Sequence, residues 1–265
     1  MTYPLDQPQP EPKHKAMPFL DHLDELRMRL LKSIIAVVVL SFAAFYFSDY
    51  LVKAIIYPLG DIKLYVTEVT GSFYAYLKIS LVTGVVASLP VIFYQLWSFV
   101  GPGLYASEKK TILPLVVVST LLFLLGAGFC WFLMLPLALK FLIGFSGELF
   151  SPIITVNNYI SFAGMLLLAF GFAFELPVVA YFLGKIGVIN ARFLAKGRRY
   201  AIVIILVASA IITPPDVFTQ VMLGAPLYLL YEVSIIIVRM TQKKRAQREV
   251  ESEAESEYDR LPPAG

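Results

Sequence analysis

The chain cannot fold as a water-soluble domain, because its apolar residues come in unbroken runs instead of stripes. No Asp, Glu, Lys or Arg interrupts residues 79–107 or 111–139. A soluble amphipathic helix shows an apolar residue every three or four positions, and a half-buried strand every second one. Runs of about 20 apolar residues are what a bilayer core of roughly 30 Å requires. The composition agrees: 58% of residues are hydrophobic and 15% charged, where a soluble domain carries about 25% charged.

Six apolar segments can be drawn, at about 30–49, 79–107 (its helix beginning near Ser72), 111–139, 158–184, 200–212 and 217–238. Pro90 should kink the second, and the third should end near Pro136. The fifth is short, about 20 Å as a helix, and residues 213–216, Thr-Pro-Pro-Asp, separate it from the sixth. The expected fold is therefore an all-α polytopic membrane protein, six transmembrane helices of unequal length in a concave bundle. An even number of spans returns both termini to one side. Of 22 Lys and Arg residues, only Lys53, Lys63, Lys78 and Lys140 then fall on the other side. That bias places both termini in the cytoplasm. Three parts are expected: a disordered tail at 1–18, a membrane domain at 19–242 and a disordered charged tail at 243–265.

Several function classes are excluded by what the chain lacks. His14 and His22 are its only histidines and Cys130 its only cysteine, so no metal centre or histidine-based catalytic triad is expected in the core; no cofactor is expected either. A net charge of +3 is too small to suggest nucleic acid.

Four stretches could carry function. In "FLDHLDELRMRLL", residues 19–31, leucines recur at helical spacing opposite Asp21, Asp24, Glu25, Arg27 and Arg29. An amphipathic helix should lie in the membrane interface there and turn into the first span. It is either an anchor with surface ion pairs or a carboxylate-bearing face for a guanidinium, which binds a carboxylate through two parallel hydrogen bonds. "YQLWSFVGPGLYASEKK", residues 94–110, sets interfacial aromatics beside Glu108. It is a helix stop, or a surface for an arginine-bearing peptide.

In "GFAFELPVV", residues 171–179, Glu175 is an isolated charge about 14 Å, nine helical residues, from Gly184 and so close to mid-membrane. A carboxylate in hydrocarbon costs about 2.5–3.5 kcal/mol on insertion scales. It should therefore face protein or a water-filled cavity, as an interhelical hydrogen-bonding group or as a functional polar spot. "IITPPDVFTQ", residues 211–220, offers Asp216 as a helix cap and Thr213 and Gln220 as polar groups able to hold another helix.

Together these stretches resemble the TatC family, the multispanning receptor subunits of the twin-arginine protein translocase. The resemblance is carried by "HLDELRMRL", "LPVIFYQLWSFVGPGLYASEKK", "FGFAFELPV" and "TPPDVFTQ". It implies docking of folded precursors with Arg-Arg signal peptides and export driven by the proton-motive force in the bacterial inner membrane. The implied partners are TatB and TatA, signal peptides, lipid and further copies of the chain, and no enzymatic activity is implied. The implied signal-binding positions are Glu25, Arg27, Gln95, Phe99 and Glu108. Glu175 matches an intramembrane glutamate. Pro58, Phe73 and Asp216 match an outer cap, and Thr213 and Gln220 the site where partner helices dock. In "GSFYAYLKI" a tyrosine stands where many relatives have proline. The competing reading, a proton-coupled small-solute transporter relaying through Glu175, needs further ionisable groups in the spans, and Glu232 is the one that offers itself.

Overall fold

A computed structural model describes residues 19–60, 62–100, 112–145, 153–212 and 217–258. Nine α-helices are formed by these residues: α1 (Phe19–Tyr46), α2 (Ser48–Ile56), α3 (Gly71–Val100), α4 (Ile112–Phe129), α5 (Leu135–Gly144), α6 (Val156–Ala173), α7 (Leu176–Lys185), α8 (Ala191–Ile212) and α9 (Val217–Tyr258). Five helical stretches are long and apolar enough to cross a membrane: His22–Tyr46, Gly71–Val100, Ile112–Gly144, Val156–Lys185 and Val217–Arg245. α8 is not among them, because four cations, Arg192, Lys196, Arg198 and Arg199, occupy its first half.

The first helix corrects the sequence reading. The expected turn between an interfacial helix and the first span is absent, and α1 runs unbroken for 28 residues. No Gly or Pro falls within it to interrupt the backbone ladder. Its length of about 42 Å exceeds a bilayer core by roughly two turns, so the Glu25 end can stand outside the apolar layer. α3 likewise continues through Pro90.

The third apolar stretch does not end near Pro136. It passes through a widened π-helical turn, Cys130–Met134, and continues as α5. Pro136 has no N–H to return to the carbonyl four residues back, and one extra residue in the preceding turn accommodates its ring without ending the helix. Pro177 acts differently. At Phe174 and Glu175 the helix tightens into a turn, both residues keeping αR backbone angles, with Glu175 N–H bonding the Phe172 carbonyl at 3.1 Å, and it goes on as α7 with Pro177 in its first turn. α8 is capped by Asn190, whose Oδ1 accepts the Phe193 N–H at 2.7 Å.

α9 continues as helix through 243–258, where an unstructured tail is expected. That segment is rich in Lys, Arg, Glu, Gln and Ala and has no Gly or Pro, so helix propensity favours continuation. A two-residue parallel pairing, β1 (Leu64–Tyr65) with β2 (Ile154–Thr155), is the only β structure among the described residues.

Small residues let the helices approach. α1 packs chiefly on α3, and a Cβ at Gly84 would lie 2.6 Å from the Ser41 backbone. α4 crosses α6 where Gly126 meets the Phe170 carbonyl oxygen, 2.7 Å from an ideal Cβ, and where Gly171 meets the Phe123 ring. Without a hydrophobic drive between helices in lipid, such close contact is what holds them. α8 leans chiefly on α9, so the helices form a row with α1 and α8 toward its two ends. Large apolar side chains face outward along the row, among them Phe42 (76% exposed) and Phe132 (74%). In water such a surface would drive aggregation; in lipid it is the solvated surface.

At the end holding β1 and β2, buried Tyr159 donates to the Ile55 carbonyl at 2.5 Å. Nearby, Lys78 donates to Asn157 Oδ1 at 2.6 Å and Ser161 Oγ at 2.8 Å. These bonds tie α6 to α2 and α3.

Candidate functional site

Along the helix axes, at the end away from β1 and β2, the start of α1 and the finish of α3 meet and form a polar rim. Glu25 and Arg29 are four positions apart in the helix, which puts them on one face. Arg29 donates to Glu25 Oε1 through Nε at 2.9 Å and Nη2 at 2.5 Å. Its Nη1 is 3.5 Å from Gln95 Oε1 on α3, at the limit of a hydrogen bond. One turn before Glu25, His22 stacks its ring on Phe99, with centroids 4.3 Å apart and planes 11° from parallel. His22 Nδ1 lies 3.9 Å from Glu25 Oε2, and that oxygen has no hydrogen-bond partner.

Three of the five signal-binding positions expected from sequence, Glu25, Gln95 and Phe99, are thus brought together. Arg27 is exposed on the same helix. Glu108 lies outside the described residues. Arg29 and His22, the groups that link the three, were not singled out from sequence. The i,i+4 spacing of Glu25 and Arg29 was the available signal.

The second polar feature is Glu175, at the turn between α6 and α7. It is 6% exposed, and its Oε1 has no hydrogen-bond partner. Its polar neighbours are the Ser119 hydroxyl and the backbone at Phe123, both on α4. Ser119 in turn accepts the Trp97 Nε1–H at 3.2 Å. The carboxyl therefore faces protein and not acyl chains, one of the two placements the burial argument allows. Neither Ser119 nor Trp97 was expected beside it; a serine in an apolar run carries no signal of what it will meet.

Glu232 is accounted for otherwise. Arg198 Nε and Nη2 donate to its two oxygens at 2.7 and 2.8 Å, and the Tyr228 hydroxyl donates to Oε1 at 2.8 Å. This forked pair clamps the cationic half of α8 to α9, at an exposed position (Arg198 is 46% exposed). It offers Glu175 no relay partner.

At the other end, Gln220 donates through Nε2 to the Leu206 carbonyl on α8 at 2.7 Å, so part of its bonding is committed within the chain. Thr213 and Asp216 lie outside the described residues. Pro58 sits in the 3-10 turn Tyr57–Leu59, and Phe73 is exposed in the first turn of α3. No group of three or more His, Cys, Asp or Glu residues able to hold a metal occurs among the described residues.

Comparison with known proteins adds to this geometry. The family model described as Sec-independent protein translocase protein (TatC) matches residues 21–226. A protein of Aquifex aeolicus named Sec-independent protein translocase protein TatC is 46% identical over 237 residues, covering 87% of this chain and 98% of its own. One of the same name from Desulforapulum autotrophicum is 43% identical over 245 residues, 91% of each chain. A crystal structure titled as the twin arginine translocase receptor TatC superposes with a TM-score of 0.76 at 47% identity, covering 83% of this chain and 99% of that one.

Proposed function

This chain belongs to the TatC family of Sec-independent protein translocase proteins, and on that premise we propose that it is the receptor and core subunit of a twin-arginine translocase. It is a translocation component, not an enzyme. It docks the Arg-Arg signal peptides of folded precursors at the rim and organises TatB and TatA for export driven by the proton-motive force. The observation that carries this reading is the convergence of Glu25, Gln95 and Phe99 from two helices onto one rim.

In this reading Glu25 and Glu108 receive the two signal arginines. Glu25 Oε2 is buried and has no hydrogen-bond partner, so a guanidinium that takes both carboxylate oxygens must displace Arg29 and move His22 aside. Gln95 supplies a further polar contact and Phe99 an aromatic face suited to a guanidinium. Exposed Arg27 belongs to the same docking surface. The apolar part of the signal then enters the concave side of the helix row, where Glu175 is the polar group it meets.

In the same reading the membrane domain has six spans, α8 serving as the short fifth through residues 200–212, and both termini lie in the cytoplasm, which the Lys and Arg bias supports. Residues 1–18 and the charged stretch from 243 onward then lie outside the membrane domain, 19–242, in the cytoplasm at the bacterial inner membrane. Pro58, Phe73 and Asp216 form the outer cap. Thr213 and Gln220 meet the single-span partners, and copies of the chain associate within the receptor complex.

A photo-reactive residue at Phe99 tests the docking surface. It should capture an Arg-Arg precursor and not its Lys-Lys counterpart, while the same probe at lipid-facing Leu125 captures neither. Capture of both precursors equally, or capture from Leu125 alone, contradicts the proposal.

A further inference from the structure

The buried carboxyl of Glu175 lies beside a hydroxyl whose direction is set by a third residue. Ser119 is 0% exposed. Its Oγ accepts the Trp97 Nε1–H at 3.2 Å. An indole nitrogen can only donate, so at this contact the serine oxygen acts as acceptor and keeps its own hydrogen for another group. The polar group beside it is the Glu175 carboxyl, one of whose oxygens, Oε1, is buried without a partner. Trp97 is itself held, buried against Phe182 with ring centroids 5.0 Å apart.

We propose that Ser119 and Trp97 are positioning residues for Glu175: the indole N–H occupies the serine oxygen, and the serine O–H is thereby turned to the carboxyl, fixing its orientation in the buried site. The chain of bonds is short and enclosed, so each member restricts the next. Trp97 also stands two residues from both Gln95 and Phe99. The last turns of α3 therefore carry the rim at one face and the hold on the mid-depth carboxyl at another. The significance for export rests on the reading of Glu175 as the polar group met by the signal; the bonding arrangement does not.

Infrared difference spectroscopy of the full chain in liposomes tests the arrangement. The carboxyl C=O band of Glu175 is identified, at a pH acid enough to protonate it, as the band missing from Glu175→Gln. Ser119→Ala, which removes one hydroxyl and adds no bulk, should move that band to higher frequency. Trp97→Phe, which keeps a ring against Phe182 but not the N–H, should move or broaden it less. A Ser119→Ala band coincident with the wild type overturns the proposal. A Trp97→Phe band coincident with the wild type overturns the part given to Trp97. The role in export is read separately: normal export of an Arg-Arg precursor by Glu175→Gln would overturn the functional reading while leaving the band result standing.

Discussion

Arg29 lies across Glu25 with two N–H groups on a single carboxylate oxygen, at 2.9 and 2.5 Å, leaving Oε2 without a hydrogen-bond partner. The pair is about one-fifth exposed, 22% for Arg29 and 23% for Glu25. The group that the rim is proposed to receive, a guanidinium, is thus already represented there by one of the chain's own side chains.

From this follows a prediction of sign. Arg29 competes for Glu25 and repels an incoming cation. Arg29→Gln should therefore strengthen binding of an Arg-Arg peptide by a few-fold, with little change in melting temperature. Isothermal titration of the detergent-solubilised protein measures it. Binding weakened to the level of Glu25→Ala would mean that Arg29 is part of the receptor and not a competitor.

A second prediction separates two glycines of α4. Gly126 is pressed on the Phe170 carbonyl and the Phe174 ring, whereas a Cβ at Gly128 would meet nothing within 4 Å. Gly126→Ala should destabilise the protein by about 1–3 kcal/mol through overpacking. Gly128→Ala should be neutral or slightly stabilising, because alanine is the better helix former. Unfolding midpoints in one detergent compare the two, and equal midpoints would contradict the packing described.

The clamp between Arg198 and Glu232 gives a third. Both oxygens are engaged in fork geometry, which lysine cannot reproduce. Arg198→Ala and Arg198→Lys should both loosen the start of α8, seen as faster amide exchange in its first turns with exchange in α6 unchanged. Protection retained in Arg198→Lys would show that charge alone suffices.

The all-helical class and the long membrane-crossing helices were legible in the sequence because they follow from composition and run length, which act locally. Glu175 was legible for the same reason: a lone charge in an apolar run must be turned inward, and it is. What the sequence did not disclose depends on neighbours distant along the chain. The continuity of α1 could not be weighed against an interfacial turn without knowing that α3 packs along it. The effect of a proline on a helix depends on context: Pro136 is absorbed by a widened turn and Pro177 follows a tightened one. Arg29 read as one surface charge among five, because its contact with Gln95 joins residues 66 positions apart. The charge density of residues 243–258 reads as an unstructured stretch, yet their Lys, Arg, Glu, Gln and Ala content, without Gly or Pro, carries α9 on as helix.

The most direct measurement of the receptor role is the affinity of the purified protein for two peptides that differ only in Arg-Arg against Lys-Lys, repeated with the Glu25→Ala, Glu108→Ala double variant. The predicted result is preferential binding of the Arg-Arg peptide by the wild type, lost in a double variant that still folds. Equal binding of both peptides, or full Arg-Arg binding by the double variant, would contradict a rim that captures paired guanidinium groups.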